Sequence, residues 1–216
     1  MRGFLFLTGT DTAVGKTYIG CRLARSWRKK GAAFAVRKPA ESGCPVRGGR
    51  LLPQDASLLK EASGSPEPLE KICPYPFRAP LAPPQAARLE GRRLTLDLLI
   101  GACLAEAPLT LIEGAGGFLS PIAEDGLNAD LALALKAKVL LVAEDRLGAI
   151  HQVLATLEAI ERRGLEVVAV VLNRIRPQDV HLENGKELRR WTSVPLLPSE
   201  GIETFLTEVG QLGGTF

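Results

Sequence analysis

Phe4-Leu5-Phe6-Leu7-Thr8-Gly9-Thr10-Asp11-Thr12-Ala13-Val14-Gly15-Lys16-Thr17 is an apolar strand running into a glycine-bounded loop and then into helical sequence. The general phosphate-loop pattern is G-x-x-x-x-G-K-[ST]. Gly15-Lys16-Thr17 fit it, and the first glycine stands one residue early, at Gly9. The physics survives that shift. Backbone N–H groups at a helix N-terminus face the phosphates, the Lys16 ammonium neutralises their charge, and the Thr17 hydroxyl is placed to ligate Mg²⁺. The competing interpretation, a glycine turn that merely starts a helix with Lys16 in solvent, explains the tripeptide less well. A nucleoside triphosphate site is expected.

Outward from the loop, short apolar runs alternate with longer amphipathic stretches. Strands are predicted over Phe4–Thr8, Ala33–Val36, Leu109–Ile112, Val139–Ala143 and Val167–Leu172. Lys16–Lys30 carries Ile19, Leu23, Ala24 and Trp27 at helical spacing. Ile150, Val153, Leu154, Leu157 and Ile160 mark a second apolar helix face, closed by Arg162, Arg163 and Gly164. Strands without polar alternation, separated by helices, predict a doubly wound α/β fold of the phosphate-loop NTPase type. Its sheet is mainly parallel and covered by helices on both faces. Residues 64–84, rich in Pro and Ser, read as an excursion rather than a linker. The 216 residues are expected to form a single domain, 1–216.

Composition narrows the function. Lys and Arg number 27 against 24 Asp and Glu, and only 5% of residues are aromatic. That balance provides no basic, base-stacking surface, so nucleic acid is not an expected partner. No apolar run reaches the roughly 20 residues of a membrane helix, and no membrane partner is expected. Cys21, Cys44, Cys73 and Cys103 include no C-x-x-C pair. They read as small buried residues in a cytoplasmic protein.

In such folds ligands bind at the C-terminal strand ends. Lys38 follows the second strand in Lys38-Pro39-Ala40-Glu41-Ser42-Gly43. It is expected beside the phosphate loop, where a cation would stabilise negative charge on a transferring phosphoryl group. Glu113 caps the third strand in Leu111-Ile112-Glu113-Gly114-Ala115-Gly116-Gly117 and suits the second metal-holding role of phosphate-loop enzymes. Asp55 reads locally as a helix N-cap. Asn173 either reads a base edge or satisfies a turn. His151 and His181 have no ligand-like neighbours and fit surface or helix-end roles.

Together these motifs resemble the dethiobiotin synthetase family. Its loop G-T-D-T-x-V-G-K-T is matched from Gly9 to Thr17, its K-P-x-x-S-G by Lys38 to Gly43, and its E-G-A-G-G by Glu113 to Gly117. The Ala129-Asp130 pair, Leu147-Gly148-x-Ile150 and Asn173 follow in family order, so the likeness runs from about residue 4 to 200. It implies 7,8-diaminononanoate, CO₂ and ATP as substrates, with Mg²⁺. Lys38 would be catalytic. Nucleotide contacts would come from Ala13, Val14, Gly15, Lys16, Thr17, Tyr18, Asp55, Glu113, Gly114, Ala115, Gly116, Asn173 and Arg174. Thr17, Asp55 and Glu113 would hold the metal, promoting Asp55 from helix cap to ligand. Thr12, Ser42, Gly148 and His151 would meet the substrate. The family is homodimeric, and the segment matching Leu147 to His151 helps complete the partner's site.

This chain departs from the family pattern in three places: His151 replaces an Asn, Ala82-Pro83-Pro84 replace S-P-H, and Pro198-Ser199-Glu200-Gly201 replace G-x-I-P. A nucleotide-switched partitioning or septum-placement ATPase is the nearest rival. Its loop carries a signature Lys where this chain has Asp11, reversing the charge.

Overall fold

The computed structural model describes residues 3–175 and 182–202; His181 lies outside them. Strands β1 (Gly3–Gly9), β2 (Phe34–Arg37), β3 (Leu109–Gly117), β4 (Lys138–Glu144), β5 (Val167–Asn173) and β6 (Leu196–Pro198) form one sheet. Their order is β6-β5-β4-β1-β3-β2, and every pairing is parallel. Helices α1 (Lys16–Lys29), α2 (Gln54–Ser63), α3 (Leu69–Ile72), α4 (Pro83–Leu89), α5 (Leu96–Cys103), α6 (Asn128–Ala134), α7 (Ala149–Glu161) and α8 (Asn184–Leu188) join and cover the strands.

Burial on both sheet faces follows from the unbroken apolar runs. Leu5 and Leu7 of β1 point into a core with Ile19, Leu23 and Trp27 of α1 and Leu59 of α2. Phe6, between them, points to the other face, among Leu99, Ile112 and Leu131. Val139 and Leu141 of β4 meet Val153, Leu157 and Ile160 of α7 in a third cluster, confirming the amphipathic face expected of that helix. Burying each Leu or Phe contributes roughly 1.5–3 kcal/mol, so the central strands anchor the fold.

Two sequence expectations are corrected, and a third holds by an unexpected route: β3 is inserted between β1 and β2, yet Lys38 after β2 still lines the same cavity as the phosphate loop. Glu113 does not cap its strand: β3 continues to Gly117, with Glu113 paired to Leu7 and Gly117 to Gly9. Its glycines lower strand propensity, but pairing along β1 outweighs it. Asp55 is not a helix N-cap, since Pro53 holds that position and Asp55 lies inside the first turn of α2. The 64–84 excursion contains α3 and a short parallel pairing of Tyr75–Pro76 with Ala40–Glu41, and it begins α4.

Candidate active site

The loop after β1 is built for close backbone approach. Gly15 has φ 92°, and a Cβ there would collide with the Asn173 amide. At Gly9 a Cβ would lie 2.7 Å from Val14 and 2.8 Å from the Asp11 carbonyl. α1 begins at Lys16 with no side-chain cap and no acidic residue in its first turn, which leaves the helix N-terminus to an anionic ligand. Lys16 is buried and donates to the Asp11 carbonyl at 3.0 Å. Burial, followed by the nearby Lys38 charge, lowers its pKa to about 8.

Lys38 directly follows β2 and reaches the interior of β3 and the first turn of α2. Its Nζ donates to Glu113 Oε1 at 2.6 Å and the Gly114 carbonyl at 3.1 Å, and lies 3.1 Å from Asp55 Oδ2. Lys38 therefore reaches the expected neighbourhood through β3 rather than by adjacency to β1. Burial alone would depress the ammonium, but Glu113 and then Asp55 outweigh it and hold its pKa above the ordinary lysine value. Conversely, burial would raise the Asp55 pKa, and Lys38 holds it below the usual carboxylate range. Thr17 Oγ1 donates to Glu113 Oε1 at 2.8 Å, while buried Glu113 Oε2 has no hydrogen-bond partner. Thr17, Asp55 and Glu113 thus bring one hydroxyl and two carboxylates together. This all-oxygen set, with an unpartnered oxygen, fits Mg²⁺ and leaves positions for phosphate and water.

These groups open into a cavity of about 600 Å³ lined by Thr12, Ala13, Gly15, Lys16, Thr17, Lys38, Glu41, Ser42, Asp55, Glu113, Ala115, Gly116 and Ser120. Pro80, Leu81, Ala82, Pro83 and Pro121 supply a mostly apolar wall. The Ser42 hydroxyl is buried without a partner. The site can therefore hold a polyanion against the loop, bring a second anion to Lys38 and shelter an aliphatic body against the prolines.

Other predicted residues are placed elsewhere. Val14 and Gly114 act through their backbones: their carbonyls accept from Asn173 Nδ2 at 3.0 Å and from Lys38. Asn173 is buried, and this bond braces the phosphate loop. Exposed Tyr18 lies against the Arg22 guanidinium, off the cavity wall. Arg174 Nε donates to Asp145 Oδ2 at 3.1 Å. Gly148 and His151, at the start of α7, are exposed and do not line the cavity, and neighbouring Leu147 is 85% exposed. All four cysteines are buried free thiols, and burial pushes their pKa values up, to about 11 for Cys21 and Cys44.

Sequence reasoning missed two residues. Asn128 is fully buried. Its Nδ2 donates to the carbonyls of Ala115, Gly117 and Ser120, and its Oδ1 accepts from Ala115 N–H, fixing the cavity wall after Glu113. Its signal was its place immediately before the Ala129-Asp130 pair. Glu41, inside the Lys38–Gly43 motif, accepts from two N–H groups of α2.

A family profile described as an AAA domain matches residues 4–200. The ATP-dependent dethiobiotin synthetase BioD of Anaeromyxobacter dehalogenans (strain 2CP-C) is 48% identical, with 93% of this chain and 91% of that protein covered. The protein of the same name from Rhodopirellula baltica is 39% identical, with 92% and 84% covered. Among solved structures, the septum site-determining protein MinD of Pyrococcus horikoshii, complexed with Mg-ADP, superposes with a TM-score of 0.55 at 14% identity. The match covers 95% of this chain and 86% of that one. That likeness supports the phosphate-loop NTPase fold alone.

Proposed function

The chain belongs to the ATP-dependent dethiobiotin synthetase family, and from that premise we propose how its residues divide the reaction. It is a C–N bond-forming ligase: 7,8-diaminononanoate and CO₂ are condensed, with ATP, to dethiobiotin, ADP and phosphate. One amine adds to CO₂ and loses a proton, giving a carbamate. A carbamate oxygen attacks the γ-phosphorus and ADP leaves, forming a carbamic–phosphoric anhydride. The second amine attacks the carbonyl carbon, loses a proton and expels phosphate, closing the ureido ring.

The observation that carries the division of labour is Lys38 Nζ held between Glu113 and Asp55 on the cavity wall. Its positive charge is secured by those carboxylates, so it can hold two anions together as charge moves onto the phosphoryl oxygens. Lys16 and the amides from Ala13 to Tyr18 receive the triphosphate. Thr17, Asp55 and Glu113 hold Mg²⁺, which supplies charge neutralisation on the phosphates when bound. Thr12 and the unpartnered Ser42 hydroxyl orient the diamine, and the proline wall takes its alkyl chain. Asn173 and Arg174, at the end of β5, are assigned to the base side of the nucleotide; Asn173 also braces the loop, while Arg174 is held by Asp145. Catalysis is then positioning and electrostatics, with no protein nucleophile.

The unit of function is a cytoplasmic homodimer of single-domain protomers, with Gly148 and His151 offered to the partner's cavity. Their exposure beside Leu147, away from this chain's own cavity, supports that reading. Among the described residues, no helix is long and apolar enough to cross a membrane.

Incubation with Mg-ATP, diamine and ¹³C-bicarbonate should give a product carrying one labelled ureido carbon. Lys38→Ala should slow its formation at least about 100-fold, the scale of losing a charge-stabilising group, while ATP binding changes little. Unlabelled product, or normal turnover by the variant, contradicts this assignment.

A further inference from the structure

The α2 helix begins without a cap of its own. Its N-cap is Pro53, whose side chain accepts no hydrogen bond, yet the first-turn N–H groups of Asp55 and Ala56 are not orphaned. Glu41, 14 residues earlier in the chain, accepts from both: Oε1 from Asp55 N–H and Oε2 from Ala56 N–H, each at 3.0 Å. Glu41 is itself buried and lines the cavity. A carboxylate spanning two adjacent N–H groups fixes the position and rotation of the helix's first turn. The residue whose backbone it grips is Asp55, whose carboxylate must stay 3.1 Å from Lys38 Nζ. Asp55 is also the more exposed of the two carboxylates on Lys38, with 38% side-chain exposure against 1% for Glu113. Glu113 is fixed within β3; Asp55 depends on the placement of α2.

We infer that Glu41 is a positioning residue of this site. By gripping the first turn of α2 it acts through Asp55, aiming that carboxylate at Lys38 and at the divalent cation. The inference rests on the reading above of Asp55 as a metal ligand. It adds a functional residue to the Lys38–Gly43 segment beyond Lys38 and Ser42, joining the motif to the metal site through the backbone of another element.

The test compares the full-length protein with Glu41→Ala, Glu41→Gln and Asp55→Asn variants. ATP affinity is measured with Mg²⁺ and again in its absence, and amide exchange is followed at Asp55 and Ala56. Outer-shell supports of metal ligands typically contribute 10–100-fold in metal affinity. The Mg²⁺-dependent gain in ATP affinity should therefore fall about 10-fold in Glu41→Ala, with metal-free ATP affinity within about twofold of the parent. Exchange at Asp55 and Ala56 should accelerate. Glu41→Gln keeps the side-chain shape and one acceptor, so it should fold and lie between the parent and Glu41→Ala. Accelerated exchange with an unchanged Mg²⁺ gain would make Glu41 a helix cap only and overturn the proposal. A gain lost in Asp55→Asn but kept in both Glu41 variants overturns the positioning role alone. A gain kept in all three overturns the metal role of Asp55 and the positioning role with it.

Discussion

Lys16 and Lys38 are two buried cations close enough to oppose each other, and their surroundings resolve that conflict differently. Lys38 has two carboxylates at hand, whereas Lys16 donates to a carbonyl, and burial brings it down to about 8. A triphosphate in the loop would favour the charged form of Lys16 and raise its pKa. Binding then takes up a proton wherever free Lys16 is deprotonated. The sign follows: ATP affinity is complete below about pH 8 and weakens as pH rises from there toward the pKa of the complex. Calorimetry in buffers of different ionisation enthalpy should find proton uptake near pH 8.5 and little near pH 6.5. Equal values at both would show that Lys16 is already fully charged in the free protein. The residues in contiguous motifs, Lys16, Thr17, Lys38 and Glu113, were legible in the sequence as members of one site, because type and spacing mark them, and the structure gathers them in one cavity. Glu41 was not, because its role depends on a helix start 14 residues away that only folding brings to it.

Among elements, β3 shows what sequence periodicity reaches and where it stops. Its apolar start at Leu109–Ile112 was legible, but its continuation through Glu113 to Gly117 depends on pairing with β1. Apolar pattern also carries no information on neighbour order, so the insertion of β3 between β1 and β2 was not readable. The short strand β6 offers three residues, too few for a period. Beyond Glu113 the wall of the site is held by Asn128, whose single side chain makes four hydrogen bonds to its backbone. Each buried group left unpaired costs about 1–3 kcal/mol. Asn128→Ala should thus destabilise the protein by about 3 kcal/mol or more, lowering the melting temperature by roughly 6–12 °C. Thermal unfolding followed by circular dichroism checks this, and a shift below about 2 °C would mean that water replaces the amide without loss.

For the whole molecule, the doubly wound plan accounts for the gathering of the site at one end of the sheet. β1 delivers the phosphate loop, β2 delivers Lys38, and β3 between them carries the carboxylate that joins the two. The plan leaves Leu147 exposed beside Gly148 and His151, outside this cavity. If that segment completes a partner's site, Leu147→Asp should shift the dimer toward monomer in light scattering. Turnover should fall at least about tenfold while ATP binding stays near normal, since charge in an apolar interface core costs association. A stable, fully active dimer would place the interface elsewhere. Phosphate-loop folds also serve nucleotide-switched binding proteins, so the decisive distinction is between a small amine and a macromolecule as the trigger of ATP use. The measurement is ADP release from Mg-ATP and bicarbonate, with and without 7,8-diaminononanoate. The synthetase account predicts release that depends on the diamine, one ADP for each ureido ring formed. Release indifferent to the diamine would contradict it.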